Sequence, residues 1–389
     1  MPFLFRWLTF KDERMENPSS ESPFQDLPEA LVEEMLGEYK RLGTELSTSL
    51  EKMESTKEQT RGFLSKAGLL RRDSSILRSY SHPTTCGIDG AYAVERLLAT
   101  DIAALAGVAV EGLSPPTEVR LWPQPHHLCK VLTINHNDAT GLVVRALMIT
   151  MEMELAAKAP HDVVFMDGSL TTPVIHLNQA LARLDEVPAE LSQNLLIELE
   201  SALDNYKEIL TSKRTDKIYA GVPKYTSRNE VAMKVGLPGY EDRSMLSFAL
   251  QGGELVGPLD MIERGEDWHF SGLPKELVNK GNEIISLIRD LNVLYYRPYE
   301  HFPALRIELA PSIARNQSRL SILLESLQLQ SGAAAIMEPY PLYLADRMVK
   351  HLGTALPAIR RATTQEIATT TSLDVGSVFM AMHGYRTES

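Results

Sequence analysis

The order of strand and helix patterns between residues 84 and 222 restricts the fold more than any other feature of the chain. "TTCGID" reads as a strand, and "DIAALAGVAVEGL" has the small and β-branched content of a second. "EVRLWPQPHHLCKVLTI" suggests a third, interrupted at Pro123 and Pro125. Residues 138 to 158 carry helical spacing, "DVVFMDG" is a fourth strand, residues 189 to 212 form a second long helix, and "KIYAGVP" is a fifth strand. The resulting β-β-β-α-β-α-β order predicts a mixed sheet with helices on its faces. Farther on, "KELVNKGNEIISLIRDL" reads as helix, "VLYYRPY" and "ALRIEL" as a late strand pair, and residues 315 to 330 and 341 to 352 as helices.

The sheet is preceded by two different segments. Residues 1 to 25 are expected to be a flexible tail, since residues 11 to 25 are polar and rich in Ser and Pro. Residues 26 to 80 are expected to form a helical arm, with Asp26 as a cap and Pro28 in the first turn. Met35, Tyr39, Leu42, Leu46, Leu50 and Met53 make a narrow apolar stripe along it, suited either to its own domain or to a dimer seam. Gly37 and Gly43 weaken the case for one continuous helix. Residues 81 to 389 are expected to form the main domain. Two cysteines in 389 residues exclude a disulfide framework and suit a reducing compartment, so a cytoplasmic protein is expected. No apolar run is long enough to span a bilayer, and "MPFLFRWLTF" lacks the basic start and cleavage site of a signal peptide. The net charge of −12 argues against a protein that coats nucleic acid non-specifically, because such binding neutralises phosphates. It leaves room for an enzyme with a small cation-lined channel.

Two Asp-Gly pairs follow apolar strand patterns: Asp89 in "GIDGAYAVERL" and Asp167 in "VVFMDGSL". An isolated Asp-Gly after a strand is a turn signal. In this strand order, however, the fourth strand lies beside the first, and the two carboxylates come together at adjacent strand ends. Adjacent carboxylates stay ionised at neutral pH only beside a cation. Oxygen-only ligation suits Mg²⁺ or Mn²⁺, and two such ions about 4 Å apart can clamp a phosphodiester for in-line hydrolysis. A third carboxylate is expected from the helix between these strands, where Glu152 and Glu154 point about 200° apart, so only one of them can face the site. Both stay candidates, with Glu152 preferred. Lys224, after the fifth strand, is a candidate for phosphate contact. Lys213, Arg214, Lys217 and Arg228 are candidates for tracking a DNA backbone, Tyr295 and Tyr296 for base stacking, and Asp242 for a helix cap. The chain has no P-loop text, so any ATP use belongs to a partner.

These segments resemble the NurA nuclease family. "GIDGAYAVERL" looks like its first motif, with Ala91 where a Ser is usual, and "VVFMDGSL" closely matches its second Asp motif. "YAGVPKYTSR", "DRSMLSFAL", "ALRIEL" and "PYPLYLADRM" resemble later segments, so the similarity runs with gaps from about residue 84 to residue 352. The resemblance implies an RNase H-like mixed sheet flanked by helices, with C-terminal helices, a homodimer, and a Mn²⁺- or Mg²⁺-dependent nuclease acting on DNA. It implies work alongside HerA, a hexameric ATP-driven translocase, in DNA end resection or anti-phage defence. Carried over by position, Asp89, Asp167 and Glu152 or Glu154 would bind metal. Tyr340 and Asp346 would lie near the site, Asp346 standing where the family often has His. Two competing expectations remain: a catalytically degenerate partner of a translocase, and another phosphoryl hydrolase using the same carboxylates.

Overall fold

A computed structural model describes residues 27–78, 82–114, 119–226, 228–236, 241–261 and 268–387. The expected tail, residues 1 to 25, and the Asp26 cap lie outside the described residues. The chain divides between Thr56 and Lys57 into two compact units, rather than near residue 80. The first unit holds α1 (Glu29–Gly37) and the first part of α2 (Tyr39–Lys66). The helix breaks at Glu38, beside Gly37, whereas Gly43 lies inside α2. The second unit begins earlier than expected because Thr60 and Leu64 of α2 are buried, and because β1 (Leu70–Arg72) pairs into the sheet.

The remaining strands are β2 (Thr85–Leu97), β3 (Asp101–Glu111), β4 (His126–Ile134), β5 (Val163–Asp167), β6 (Ile218–Val222), β7 (Glu254–Asp260), β8 (Asn292–Arg297), β9 (Leu305–Leu309) and β10 (Gly384–Thr387). Of the ten strands among the described residues, nine run in the order β1-β7-β8-β9-β6-β5-β2-β3-β4, and β10 pairs with β2. β2, β3 and β4 form an antiparallel meander, while β2, β5 and β6 are parallel, which is the mixed arrangement expected from the sequence. The intervening helices are α3 (Thr140–Lys158), α4 (Thr172–Leu181), α5 (Ala189–Thr211), α6 (Glu230–Lys234), α7 (Asp242–Ala249), α8 (Val278–Arg289), α9 (Pro311–Ala314), α10 (Gln317–Gln330), α11 (Tyr340–Lys350), α12 (Leu352–Thr370) and α13 (Val375–Ala381). Among the described residues no helix is long and apolar enough to cross a membrane.

Side chains alternate across each strand, and β5 shows this directly. Val164 and Met166 join the core under α3 and α5, whereas Val163 and Phe165 join the core under α10 and α11. Gly87 is the register partner of Phe165, so it belongs to the second face. Its missing side chain admits the start of α11: a Cβ at Gly87 would stand 2.4 Å from the carbonyl carbon of Pro341 and 2.5 Å from the Leu342 nitrogen. Pro341 lies in the first turn, where its fixed φ suits a helix start. Leu342, Ala345 and Val349 are then buried.

The turn after β5 is held from the other side. Gly168 has φ +95°, a conformation that favours glycine. Next to it, the Leu170 amide and the Ser169 hydroxyl donate to Glu308 at 2.8 and 2.7 Å. Glu308 accepts from buried Arg306 at 2.9 Å, and Arg306 donates twice to Glu230, at 2.9 Å each. Asp242 accepts from the Val231 and Ala232 amides at 2.8 Å and so anchors α6, which carries Glu230. Asp242 is therefore not the cap of its own helix; Glu241 is, accepting from Ser244.

Two substitutions test this scaffold. Gly87→Ala should lower stability by about 1–3 kcal/mol through overpacking against backbone, read by denaturant unfolding. Arg306→Leu strands two buried carboxylates and should cost about 3–5 kcal/mol in the same measurement.

Candidate metal centre

Asp89 and Asp167 approach one another as the β2–β5 pairing predicts, with one difference from the sequence reading. Asp89 is not at a strand end. β2 continues eight residues past it to Leu97, in unbroken register with β3. It is β5 that stops: parallel pairing ends at Ile88–Met166, and Asp167 closes β5. Residues 87 and 89 share a face, as do 165 and 167, so both aspartates point to the α11 side. There Asp346, one residue beyond buried Ala345, completes the set. Asp89, Asp167 and Asp346 each offer a carboxylate oxygen within 4.8 Å of the others.

Lys224 follows β6 and binds this cluster directly. Its ammonium lies 2.9 Å from Asp167, 3.1 Å from Glu338 and 3.2 Å from Asp346. Lys350 adds a second contact to Asp346 at 2.6 Å. Burial, then the Asp167 charge, pushes the Asp89 carboxyl up to about 7, against the pull of Lys224. Burial also works against ionisation of Asp346, but its bonds to Lys350 and Lys224 outweigh that and hold it below the usual carboxylate range. Lys224 is likewise disfavoured as a cation by burial, yet Asp167 and Glu338 raise it above an ordinary lysine.

The two candidate glutamates separate as their helical spacing requires. Glu152 is buried and reaches β2 from the opposite face, through the space a side chain at Gly90 would fill: a Cβ there would stand 2.7 Å from its Oε1. Burial, then Asp89 and Asp167, raises its carboxyl well above normal. It backs the cluster without being one of the three converging groups. Glu154 lies apart, half-exposed and paired with Lys158 at 2.5 Å, because its helix position faces away from β2. Tyr340 opens α11 half-buried and has no hydrogen bond to the three carboxylates. Glu338 was not legible in advance. It sits in a loop before α11, outside any strand-end pattern, and burial raises its carboxyl.

Other sequence candidates take structural roles. Lys217 is buried and donates to the carbonyls of Ala157 and Ala159, and Arg214 pairs with Asp216 at 2.7 Å. Lys217 is therefore turned inward and not placed to track DNA, whereas Arg214 stays half-exposed beside Asp216. Tyr295 and Tyr296 are fully buried, so the base-stacking reading fails; their hydroxyls bond to Asp242 and Asp73.

No family sequence model and no curated protein matches this chain. Solved structures do. The NurA nuclease from Sulfolobus solfataricus superposes with TM-score 0.55 at 12% identity, over 86% of this chain and 98% of that one. A NurA structure with manganese gives 0.53 at 15% identity, over 86% and 99%. A NurA bound to dAMP and manganese gives 0.52 at 15% identity, over 83% and 97%. The likeness at such identities is one of architecture, and it spans nearly the whole of each relative: the chain carries a NurA-like fold.

Proposed function

We propose that the chain is a divalent-metal-dependent deoxyribonuclease that holds Mn²⁺ or Mg²⁺ on Asp89, Asp167 and Asp346. The observation that carries this reading is the convergence of three carboxylates, from β2, β5 and α11, within 4.8 Å on a NurA-like fold. The donor set is all carboxylate oxygen, which suits a hard divalent ion. Lys224 shows that this space already holds a positive charge. A bound ion would supply an activated water and charge stabilisation at the phosphodiester. Lys224, with three N–H donors, is placed to neutralise charge building on a phosphate oxygen. Glu152, whose carboxyl burial shifts upward, supports β2 at Gly90 from the opposite face of the sheet.

The finer reading is a homodimer that processes DNA with a HerA-type hexameric ATPase, in end resection or anti-phage defence. It rests on the NurA likeness and on the chain's lack of a P-loop, which leaves ATP hydrolysis to a partner. Mixing the protein with such an ATPase and ATP should accelerate degradation of linear DNA, and no acceleration would remove the partnership.

Asp89→Ala and Asp167→Ala should each lower Mn²⁺-dependent cleavage of labelled linear DNA by at least about 100-fold with unchanged circular dichroism. Glu154→Ala should cleave like the parent. Isothermal calorimetry should detect Mn²⁺ binding in the parent and none in Asp167→Asn. A parent that binds no Mn²⁺ and cleaves no DNA would instead favour a non-catalytic partner of a translocase.

A further inference from the structure

Lys224 is held by more negative charge than one ammonium needs, and one of its partners differs in kind from the other two. Its Nζ lies 2.9 Å from Asp167 Oδ2, 3.2 Å from Asp346 Oδ1 and 3.1 Å from Glu338 Oε2. Asp167 and Asp346 belong to the three residues that converge within 4.8 Å, and Glu338 does not. The ammonium and a divalent ion therefore call on the same two aspartates. A lysine head is a compact point charge on a flexible four-carbon stem, so it can pivot while its backbone stays in place. Lys224 stands two residues past the end of β6, after Pro223, with its side chain partly exposed.

Glu338 has the features of a second seat for that head. Its Oε2 is closed to solvent and accepts no hydrogen bond among the described residues, so the ammonium reaches it as a charge and its acceptor capacity is unused. A carboxylate oxygen left in that condition is costly, and a lysine released by the aspartates would supply the missing bond. The chain fixes this carboxylate from behind. Glu338 precedes Pro339, which restricts its backbone to extended conformations, and Pro339 stands at the N-cap of α11. The same helix carries Asp346, whose Oδ2 is kept by Lys350 at 2.6 Å, so Asp346 stays anchored when Lys224 lets go of Oδ1.

We propose that Lys224 is a built-in gate on the carboxylate cluster: its ammonium competes with the divalent ion for Asp167 and Asp346, and Glu338 is the positioning residue that receives it when the ion binds. The assignment deepens the metal-dependent reading and rests on it. The gate sets a threshold on loading. The apparent affinity for the ion is lowered by the fraction of molecules in which the ammonium holds the aspartates, and Glu338 limits that fraction by offering the ammonium another place.

Calorimetric titration of the full chain with Mn²⁺, without DNA, tests the gate. Lys224→Gln removes the competing charge but keeps a donor, and should bind Mn²⁺ about tenfold more tightly than the parent. Glu338→Gln takes away the second seat and should bind about tenfold more weakly. The double variant should match Lys224→Gln, because Glu338 acts only through the lysine. Lys350→Gln removes an exposed charge from the same aspartate and should change the affinity by less than about threefold. Three results would each overturn the gate and leave the metal site standing: no gain in Lys224→Gln, an equal gain in Lys350→Gln, or an equal loss from Glu338→Gln with and without Lys224. Glu338→Gln is isosteric, so an unchanged affinity there overturns the gate even if a Lys224 variant does not fold. Absence of Mn²⁺ binding in the parent and Lys224→Gln alike would remove the metal reading itself, and the gate with it.

Discussion

The site depends on holding like charges together. Three carboxylates within 4.8 Å repel by roughly 3–4 kcal/mol per ionised pair at an effective dielectric near 20. The protein manages this in two ways. Lys224 places one ammonium against Asp167, Glu338 and Asp346 together, and burial leaves Asp89 and Glu152 inclined to keep their protons. Such an arrangement offsets the repulsion within the protein itself, and its donor set is all carboxylate oxygen, the chemistry that suits a hard divalent ion.

Rigid supports on both sides make that convergence possible. α11 can set Asp346 over Asp89 only because Gly87 lets the helix backbone touch β2. The turn that follows Asp167 is fixed by Glu308, which is fixed by Arg306 and Glu230 in turn. The buried ion pairs are therefore positioning devices. Their geometry is saturated with hydrogen bonds, which is the condition under which buried charges are tolerable at all. The same termination of β5 that puts Asp167 beside Asp89 also leaves the next stretch of β2 without a strand on that edge among the described residues.

Several parts of this were readable from local pattern. The period-2 apolar runs and the helices between them were enough to place β5 beside β2, and so Asp167 beside Asp89. The 200° separation of Glu152 and Glu154 already implied that only one could approach the sheet, and Glu152 does. Tyr295, Tyr296 and Lys217 misled for a common reason. Aromatic side chains in a strand, and a lysine at the residue before one, look the same whether they meet ligand or core, and here hydrogen bonds within the protein absorb their polar tips. β1 and β7 were not anticipated, since their short segments acquire strand geometry only by pairing with each other and with β8.

The sequence by itself determined the mixed-sheet order and the two aspartates at its centre, because alternation and spacing are local properties of the chain. Only the tertiary structure decided the rest of the cluster. Asp346 and Glu338 lie far from Asp89 and Asp167 along the chain; only the resemblance of "PYPLYLADRM" pointed to Asp346, and no local pattern pointed to Glu338. They meet because a helix start packs onto a glycine more than two hundred and fifty residues earlier, between Gly87 and Pro341. That contact is set by backbone clearance across the sheet, a quantity that no periodicity in the sequence encodes.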